Sequence, residues 1–420
     1  YAATTATAAD ADAVVVMDRV SAADFHRLTG GATGYTILKN QQTISLSQIQ
    51  PYDVVTYDSM SNTLLVSDLR LTCKYQNPSP SPKAPTSITL LGHTFPVLES
   101  AWNFTDQVSA GQQVSLLMTV DGQVAAILPS SAQTRSTAIG MVTGETTVDL
   151  FLPNGGTMEL KGSESKLKNV NQVCTITSTD ENMLNASRLS TQRAPGDFDP
   201  KALTLGEHKV APGVRVYEQF RDGAQVAVPL SNLDYGAIPQ NQITGVHMNS
   251  SDIVDVVILN NVTGDAYTYG RMVGHTTVTK EPIYDENGEQ TGTKENYKTS
   301  WSLENRNVLK FNEKAGYAGK TGDLIGAVAG KNGLIISIVQ LSEHQVSPAD
   351  FFERDGRYYV TVKGRTYAVA DSVECYKTAT KSWFDQEDGM DRLRACLAFS
   401  SKLTVYIDPV GDKVRIITAN

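Results

Sequence analysis

The sequence has few cysteines, few tryptophans, no excess of positive charge and no long hydrophobic run. Four cysteines in 420 residues are too few for a disulfide scaffold, and none forms the Cys-x-x-Cys pair of zinc ribbons. Apolar stretches such as Val14–Met17 and Leu334–Val339 are far shorter than the roughly 20 residues that span a bilayer. The formal net charge is −9, from 36 Lys and Arg against 45 Asp and Glu. A basic surface is therefore missing, and we expect neither nucleic-acid binding nor membrane insertion.

The motifs of common enzymes are missing as well. None of the six histidines lies four residues from another, and no His-Glu-x-x-His, Gly-x-Ser-x-Gly or Walker-type loop occurs. Gly319–Thr321 reads Gly-Lys-Thr, but Lys314 stands where a phosphate loop needs its first glycine. We therefore predict a non-catalytic protein without a cofactor and assign no catalytic or metal-ligating residue. Acidic clusters near Asp285 and Asp385 leave calcium binding open, although neither has the spacing of a calcium loop.

The cysteines and the tryptophans each allow two interpretations. Cys375 and Cys396 are close enough in sequence for a disulfide bond, but nothing in the spacing requires one. The three tryptophans, Trp102, Trp301 and Trp383, are spread singly along the chain. Single tryptophans in β-modules are typical of a hydrophobic core, whereas aligned exposed ones would indicate a sugar-binding face.

The dominant pattern is short strands separated by tight turns. Segments rich in Val, Ile, Thr and Tyr suit a pleated, half-buried surface. The clearest are Asp53–Tyr57, Leu64–Ser67, Val114–Val120, Val148–Leu152, Val214–Tyr217, Ile253–Leu259, Tyr358–Val362, Leu403–Ile407 and Val414–Thr418. Asp-Gly and Asn-Gly pairs, which supply the positive φ of hairpin turns, stand at Asp121-Gly122, Asn154-Gly155, Asp222-Gly223, Asn287-Gly288 and Asp355-Gly356. This pattern predicts a mainly β fold of several small antiparallel β-sandwich or β-barrel modules with a few short helices.

Two predicted helix starts carry the same signature. In Val20–Phe25 and in Val346–Phe351, a serine precedes an aspartate by three residues, and a valine and a phenylalanine flank the start. The serine and the acid are typical of a helix N-terminus, and the flanking pair fits a hydrophobic staple. We therefore predict two short helices, which run to Gly30 and Gly356.

The strands that follow these two starts also correspond. The matching phrases are Gly34–Asn40 with Tyr358–Gly364, and Asp53–Asp58 with Leu403–Asp408. Residues 14–72 and 343–420 are therefore predicted to be two copies of one β-module, the second with an inserted helix over Met390–Phe399. The alternative is convergence on common cap and hairpin chemistry, because hairpin patterns recur in any all-β chain.

The rest of the chain divides less clearly. A Pro- and Ser-rich stretch at Asn77–Thr86 is typical of a stiff connector. The predicted divisions are residues 1–13 as a linker or arm, 87–135 as a small β-module, 136–275 as barrel-like modules with a long loop at 177–202, and 276–342 as a β-module with a projecting hairpin.

The hairpin predicted at Glu281–Lys298 is the best candidate for an interaction site. Its arms offer almost nothing to a hydrophobic core, and an isolated hairpin is marginally stable in water unless it packs on something. We assign the possible contacts to Asp285, Asn287, Gly288 and Lys294. The alternative is a tolerated surface insertion.

Four phrases together resemble a known family. They are Pro51–Asp58, Leu90–Leu98, Val262–Gly270 and the pair Tyr406–Asp408 with Val414–Ile417. From about residue 14 to its end, the chain resembles the β-rich, non-anchoring part of S-layer homology (SLH) domain proteins from anaerobic Gram-positive gut bacteria. Members of that family carry a signal peptide and modules that bind cell-wall polymers, and neither is visible in this sequence. The resemblance implies an exported protein of the cell surface or cell wall and supplies no catalytic residue.

These observations favour a structural, S-layer-type cell-surface protein that self-associates through its β-modules. The first alternative is a surface adhesin or carbohydrate-binding protein, and the second is an extracellular hydrolase, because two carboxylates close in space leave no local trace in a sequence. The chain begins with Tyr1 rather than Met, and we therefore expect a processed or trimmed product.

Overall fold

The structure is a computed structural model, and it describes residues 6–7, 12–233, 236–249, 251–305, 308–311, 320–331, 333 and 335–420. The chain divides into two compact units. The first comprises Tyr1–Tyr217, Gly223–Gln225 and Asp234–Leu259, and the second comprises Glu218–Asp222, Val226–Leu233 and Asn260–Asn420.

The described residues are mainly β and form several small separate sheets, which confirms the predicted fold class. All nine predicted strand segments overlap strands of the structure. The five predicted turn glycines all have a positive φ, because each closes a turn between antiparallel strands.

The N-terminal sheet of the first unit has the order β1-β2-β5-β6-β3-β4. Its strands are β1 (Ala6–Thr7), β2 (Val14–Val15), β3 (Thr36–Lys39), β4 (Gln42–Thr43), β5 (Val54–Asp58) and β6 (Thr63–Ser67), with 3-10 helices at Ala22–Phe25 and Leu46–Gln48. β3 and β6 run parallel, whereas the other neighbours are antiparallel. Phe25 is fully buried against Val55 and Leu64 in the core of this sheet.

The next three sheets of the first unit share one hydrophobic core. Their orders are β10-β9-β8, β12-β11-β7 and β15-β14-β13-β16-β17. The strands are β7 (Arg70–Lys74), β8 (Pro78–Ser79), β9 (Ser87–Leu90), β10 (His93–Pro96), β11 (Gln113–Met118), β12 (Val124–Pro129), β13 (Ile139–Val142), β14 (Thr147–Phe151), β15 (Thr157–Lys161), β16 (Val173–Thr177) and β17 (Asn185–Arg188), with a 3-10 helix at Glu99–Gln107. Leu71, Phe95, Leu116 and Leu150 are fully buried in this core.

A further sheet has the order β18-β19-β20-β23-β22, and β21 also pairs with β20. Its strands are β18 (Phe198–Asp199), β19 (Thr204–Leu205), β20 (His208–Gln219), β21 (Gln225–Val228), β22 (Ile243–Met248) and β23 (Val254–Leu259), with 3-10 helices at Leu230–Asn232 and Gln240–Gln242. The stretch 177–202 is therefore not the continuous loop that we predicted. It contains β17 and β18, because Leu184, Leu189 and Phe198 are buried and anchor it to the neighbouring strands.

The second unit contains two sheets, of orders β26-β25-β24-β27-β28 and β29-β34-β35-β32-β31-β30, with β33 paired to β32. The strands are β24 (Thr268–Tyr284), β25 (Gln290–Glu304), β26 (Val308–Phe311), β27 (Leu324–Ala329), β28 (Ile335–Gln340), β29 (Ser342–Val346), β30 (Phe351–Arg354), β31 (Arg357–Val362), β32 (Arg365–Lys377), β33 (Ser382–Trp383), β34 (Leu403–Ile407) and β35 (Lys413–Ala419). The helix α1 (Gly389–Phe399) matches the predicted one and covers β32. A 3-10 helix occupies Pro348–Asp350.

The two predicted helix starts have the same hydrogen bonds but different continuations. The backbone N–H and hydroxyl of Ser21 both donate to Asp24, and Ser347 donates to Asp350 in the same way. The first start gives a 3-10 helix followed by turns. The second does not run to Gly356 as predicted, because the chain turns at once into β30, which pairs with β31.

The terminal modules share part of their topology. In each, the last two strands form a hairpin, and the last strand runs parallel to an earlier one, β6 to β3 and β35 to β32. The sequence match, however, pairs β3 with β31, which lies one strand further from β35. The relation between 14–72 and 343–420 stays a prediction.

Each unit also buries charged side chains. In the first unit, the Lys39 ammonium lies 2.8 Å from Asp53 and 3.6 Å from Asp68, and Lys39 is 2% exposed. Burial raises the pKa of Asp53 to about 6, although the attraction of Lys39 opposes the shift.

In the second unit, Arg415 joins two buried carboxylates. Its Nε lies 2.6 Å from Asp408 Oδ2, its Nη1 lies 2.7 Å from Asp265 Oδ1, and its Nη2 donates to the carbonyl of Thr263 at 2.8 Å. Lys413 contacts the same Asp265 carboxylate at 2.9 Å. This cluster ties the turn after β23 to the last hairpin of the chain.

Candidate functional site

The predicted interaction residues lie at or near the tip of the hairpin formed by β24 and β25. Asp285 Oδ1 accepts hydrogen bonds from the backbone N–H groups of Asn287 and Glu289, each at 2.9 Å. Gly288 has a φ of 81° and donates to the carbonyl of Asp285. Asp285, Asn287, Gly288 and Lys294 are all exposed. The turn is thus held by local hydrogen bonds alone, as the Asn-Gly pair predicts.

The hairpin is longer than the predicted 281–298. Its cross-strand pairs run from Arg271 with Glu304 to Tyr284 with Gln290. Among the described residues, further strands pair with the hairpin only at its base. β27 pairs with β24 over Thr268–Arg271, and β26 pairs with β25 over Trp301–Glu304. The remainder, residues 275–284 with their partners, is a two-stranded ribbon, which at about 3.4 Å per residue is roughly 34 Å long.

The ribbon tip combines paired charges with two exposed apolar side chains. Lys280 lies 3.1 Å from Glu295, and Glu281 stands opposite Lys294. Ile283 is 47% exposed and Tyr284 59% exposed. Residues 280–291 and 293–295 are exposed, so this part of the ribbon contributes little to any core of the second unit.

A cleft in the first unit is a second candidate site, and the sequence did not reveal it. Its volume is about 770 Å³, within the range typical of ligand pockets. β16, β20 and β22 contribute side chains to it, together with the turns that follow β3, β6, β12 and β14. Its lining includes Phe151, Thr175, Arg215, His247 and Asp255.

The cleft contains a histidine–aspartate pair. Nδ1 of His247 lies 2.6 Å from Oδ1 of Asp255. The pairing of β22 with β23 shifts at this point, since His247 faces Val256 and Met248 faces Val254. Asp255 is therefore an extra residue in a β-bulge, a feature that re-aims side chains.

The environment of this pair shifts the pKa of Asp255. Burial raises the pKa of Asp255, the hydrogen bond with His247 opposes that shift, and the charge of Asp68 raises the pKa further. When Asp255 is ionised it can only accept, so Nδ1 of His247 carries a proton and, in the neutral ring, Nε2 keeps its lone pair. Such an imidazole can accept a hydrogen bond from a ligand.

Arg215 has its contacts within the protein. Its guanidinium carbon lies 4.1 Å from the centre of the Phe151 ring, and its Nη2 donates to the carbonyls of Gly155 and Gly156 at 3.0 and 2.8 Å. This arrangement fixes the turn between β14 and β15 at the edge of the cleft. The face of Phe151 is consequently covered by a cation.

The pair could not be found from sequence spacing. His247 and Asp255 are eight residues apart, and only the register of the β22–β23 hairpin and its bulge brings them together. Neither helical nor zinc-type histidine spacing marks them. The only local sequence signal for the pair is that its histidine and its aspartate lie on the two strands of one hairpin.

The remaining sequence candidates have structural contacts. Cys375 and Cys396 are both buried free thiols, and a hydrogen bond between them, together with burial, raises the pKa of Cys375. The indole of Trp102 donates to the carbonyl of Pro85 at 2.8 Å. Trp383 packs edge-on against Tyr376, and the side chain of Trp301 lies outside the described residues.

Comparisons with family models, curated proteins and solved structures found no match to this chain. Within the described part of the chain, no group of three or more His, Cys, Asp or Glu side chains is arranged to hold a metal ion. That part also contains no helix with the length and apolar character needed to cross a membrane.

Proposed function

We propose that the protein is a structural, S-layer-type component of a cell surface or cell wall, which self-associates through its β-modules. The observation that carries this proposal is the two-stranded ribbon of β24 and β25. Its exposed side chains contribute little to a core. Among the described residues, both of its edges are unpaired beyond the base, so that another strand can pair there.

The charge pattern of the ribbon supports contact with a second copy of the chain. Glu281 and Lys294 stand opposite each other, beside the pair of Lys280 and Glu295. A ribbon with alternating charges is complementary to another copy of itself, so that contact between two ribbons joins two chains. An open array, which a layer requires, additionally needs contact between unlike surfaces of the modules. Attachment to a wall polymer would then depend on modules other than those in this chain.

Shortening the ribbon tests this proposal. We expect a variant in which Asn-Gly replaces Pro282–Thr293 to retain its fold and to self-associate about tenfold more weakly, a loss of ~1.4 kcal/mol. Because Glu281 and Lys294 already face each other, the two-residue turn closes the shortened hairpin in register. Its free energy of unfolding should change by less than ~1 kcal/mol. Analytical ultracentrifugation measures association, and urea titration measures stability.

A matched pair of point variants separates the ribbon tip from exposed apolar surface in general. Tyr284→Ser removes a side chain that is 59% exposed on the ribbon, and Met60→Ser removes one that is 97% exposed in a turn of the first unit. We expect only the first to weaken association. A folded, shortened variant that associates like the parent, or a parent that stays monomeric while electron microscopy shows no arrays, would contradict the proposal.

A further inference from the structure

The cleft of the first unit is a site that the proposed structural function does not use. We propose that it binds a neutral saccharide chain, with Nε2 of His247 and the threonine hydroxyls of β16 as its hydrogen-bonding groups. The inference rests on the chemistry of the lining and is independent of self-association by the ribbon.

The charged side chains of the cleft have contacts inside the protein. Arg215 donates to two carbonyls, Asp255 pairs with His247, and Asp68 lies 3.6 Å from the buried Lys39. Arg135 is exposed at the rim. An ionic ligand would therefore compete with these internal contacts for its ion pairs, which favours an uncharged ligand.

Hydroxyl groups dominate the remaining polar lining. Thr175, Thr177 and Thr179 follow one another at every second residue, so that β16 and its continuation present one row to the cleft. Thr175 and Thr177 are half-buried, so that their hydroxyls lie within the cleft rather than at its rim. A hydroxyl both donates and accepts, as do the hydroxyls of a sugar.

His247 supplies a hydrogen-bonding group of fixed orientation beside this row. The bond from its Nδ1 to Asp255 orients the ring, and His247 and Asp255 are only 23% and 24% exposed as side chains. A hydrogen bond made in a partly enclosed site is stronger than one in water. Apolar patches from Ile139, Leu189 and Met248 complete the lining, and they suit the C–H faces of a sugar ring.

Isothermal titration of the full chain with cellotetraose, maltotetraose and chitotetraose tests the proposal. We expect at least one of them to bind. His247→Asn should weaken that binding about tenfold, and the double variant Thr175→Val/Thr177→Val, which keeps the side-chain shape, should weaken it by a similar factor.

Two variants serve as matched controls. His208 forms a second histidine–aspartate pair in the first unit, 4.0 Å from Asp252, and neither residue lines the cleft. His208→Asn and Thr157→Val should leave binding unchanged. If His247→Asn fails to fold, the threonine double variant still decides the question. No binding of any of the three tetrasaccharides, or binding that the cleft variants leave intact, would overturn the proposal.

Discussion

Replacing Arg415 with methionine is expected to destabilise the second unit by about 3–5 kcal/mol, because it leaves the buried carboxylate of Asp408 without its cation, whereas Asp265 keeps its contact with Lys413. Asp408 is fully buried, and Arg415 is 3% exposed. The guanidinium binds Asp408 and Asp265 at 2.6 and 2.7 Å and also satisfies the carbonyl of Thr263. Methionine fills part of the volume but supplies none of these hydrogen bonds.

An exposed arginine in the same sheet provides the control. Arg365 lies 2.8 Å from Asp412, but the two side chains are 62% and 59% exposed. Solvent screens such a pair, so Arg365→Met should cost no more than ~1 kcal/mol. Hydrogen exchange of the full chain localises the effect, and we expect the amides of β34 and β35 to lose protection only in Arg415→Met. If Arg415→Met cost as little stability as Arg365→Met, the buried cluster would contribute little.

The neighbouring glycines show how closely this cluster is built. A Cβ atom at Gly411 would lie 2.0 Å from the carbonyl oxygen of Thr263, and one at Gly264, where φ is +71°, would lie 2.7 Å from both Arg415 and Asp408. Only glycine lets the backbone approach the charged groups at this distance. Such a requirement is invisible in a sequence until the partners are known.

The elements that the sequence predicted correctly are those decided by local chemistry. Strands followed from runs of β-branched residues, the turn at Asn287-Gly288 from its need for positive φ, and α1 from its helical pattern, because each is decided by residues close in the chain. The helix predicted after Ser347 was wrong, since Phe351 pairs across a hairpin instead of continuing a helix. Here tertiary pairing overrode a correct local signal.

The cleft depends on long-range register. Its walls come from strands as distant as β3 and β23, and no spacing rule links Gln41 to Asp255. The phrases on which the predicted resemblance to SLH-domain proteins rests are different in kind: they contain Asp53, Asp265 and Arg415, which form buried ion pairs. That resemblance stays a prediction, and residues that stabilise the modules say little about what the cleft binds.

The buried pair of Lys39 and Asp53 gives the second large effect, and this one depends on pH. Lys39→Met should destabilise the first unit by about 3–5 kcal/mol at pH 7.5, because Asp53 stays buried without its cation. Asp53 is fully buried, and its Oδ1 has no hydrogen-bond partner among the described residues. Lys83→Met is the matched control, since the pair of Lys83 and Asp106 is 61% and 90% exposed.

The sign of the pH dependence follows from the raised pKa of Asp53, which is about 6 in the folded protein against 3.8 for the ordinary group. The folded state therefore holds this proton more tightly than the unfolded chain, and the contribution of Asp53 to stability falls as the pH rises from about 4 to 6. Without Lys39 the pKa rises further, so the cost of Lys39→Met should grow between pH 5 and pH 7.5. Adding Asp53→Leu to Lys39→Met removes the titrating group. The double variant should regain much of the lost stability, and its stability relative to Asp53→Leu should no longer depend on pH. Urea unfolding at both pH values should be measured for the parent, Lys39→Met, Asp53→Leu and the double variant, and it gives the free energy of unfolding of each. A cost of Lys39→Met that is independent of pH would contradict the assignment of the effect to Asp53.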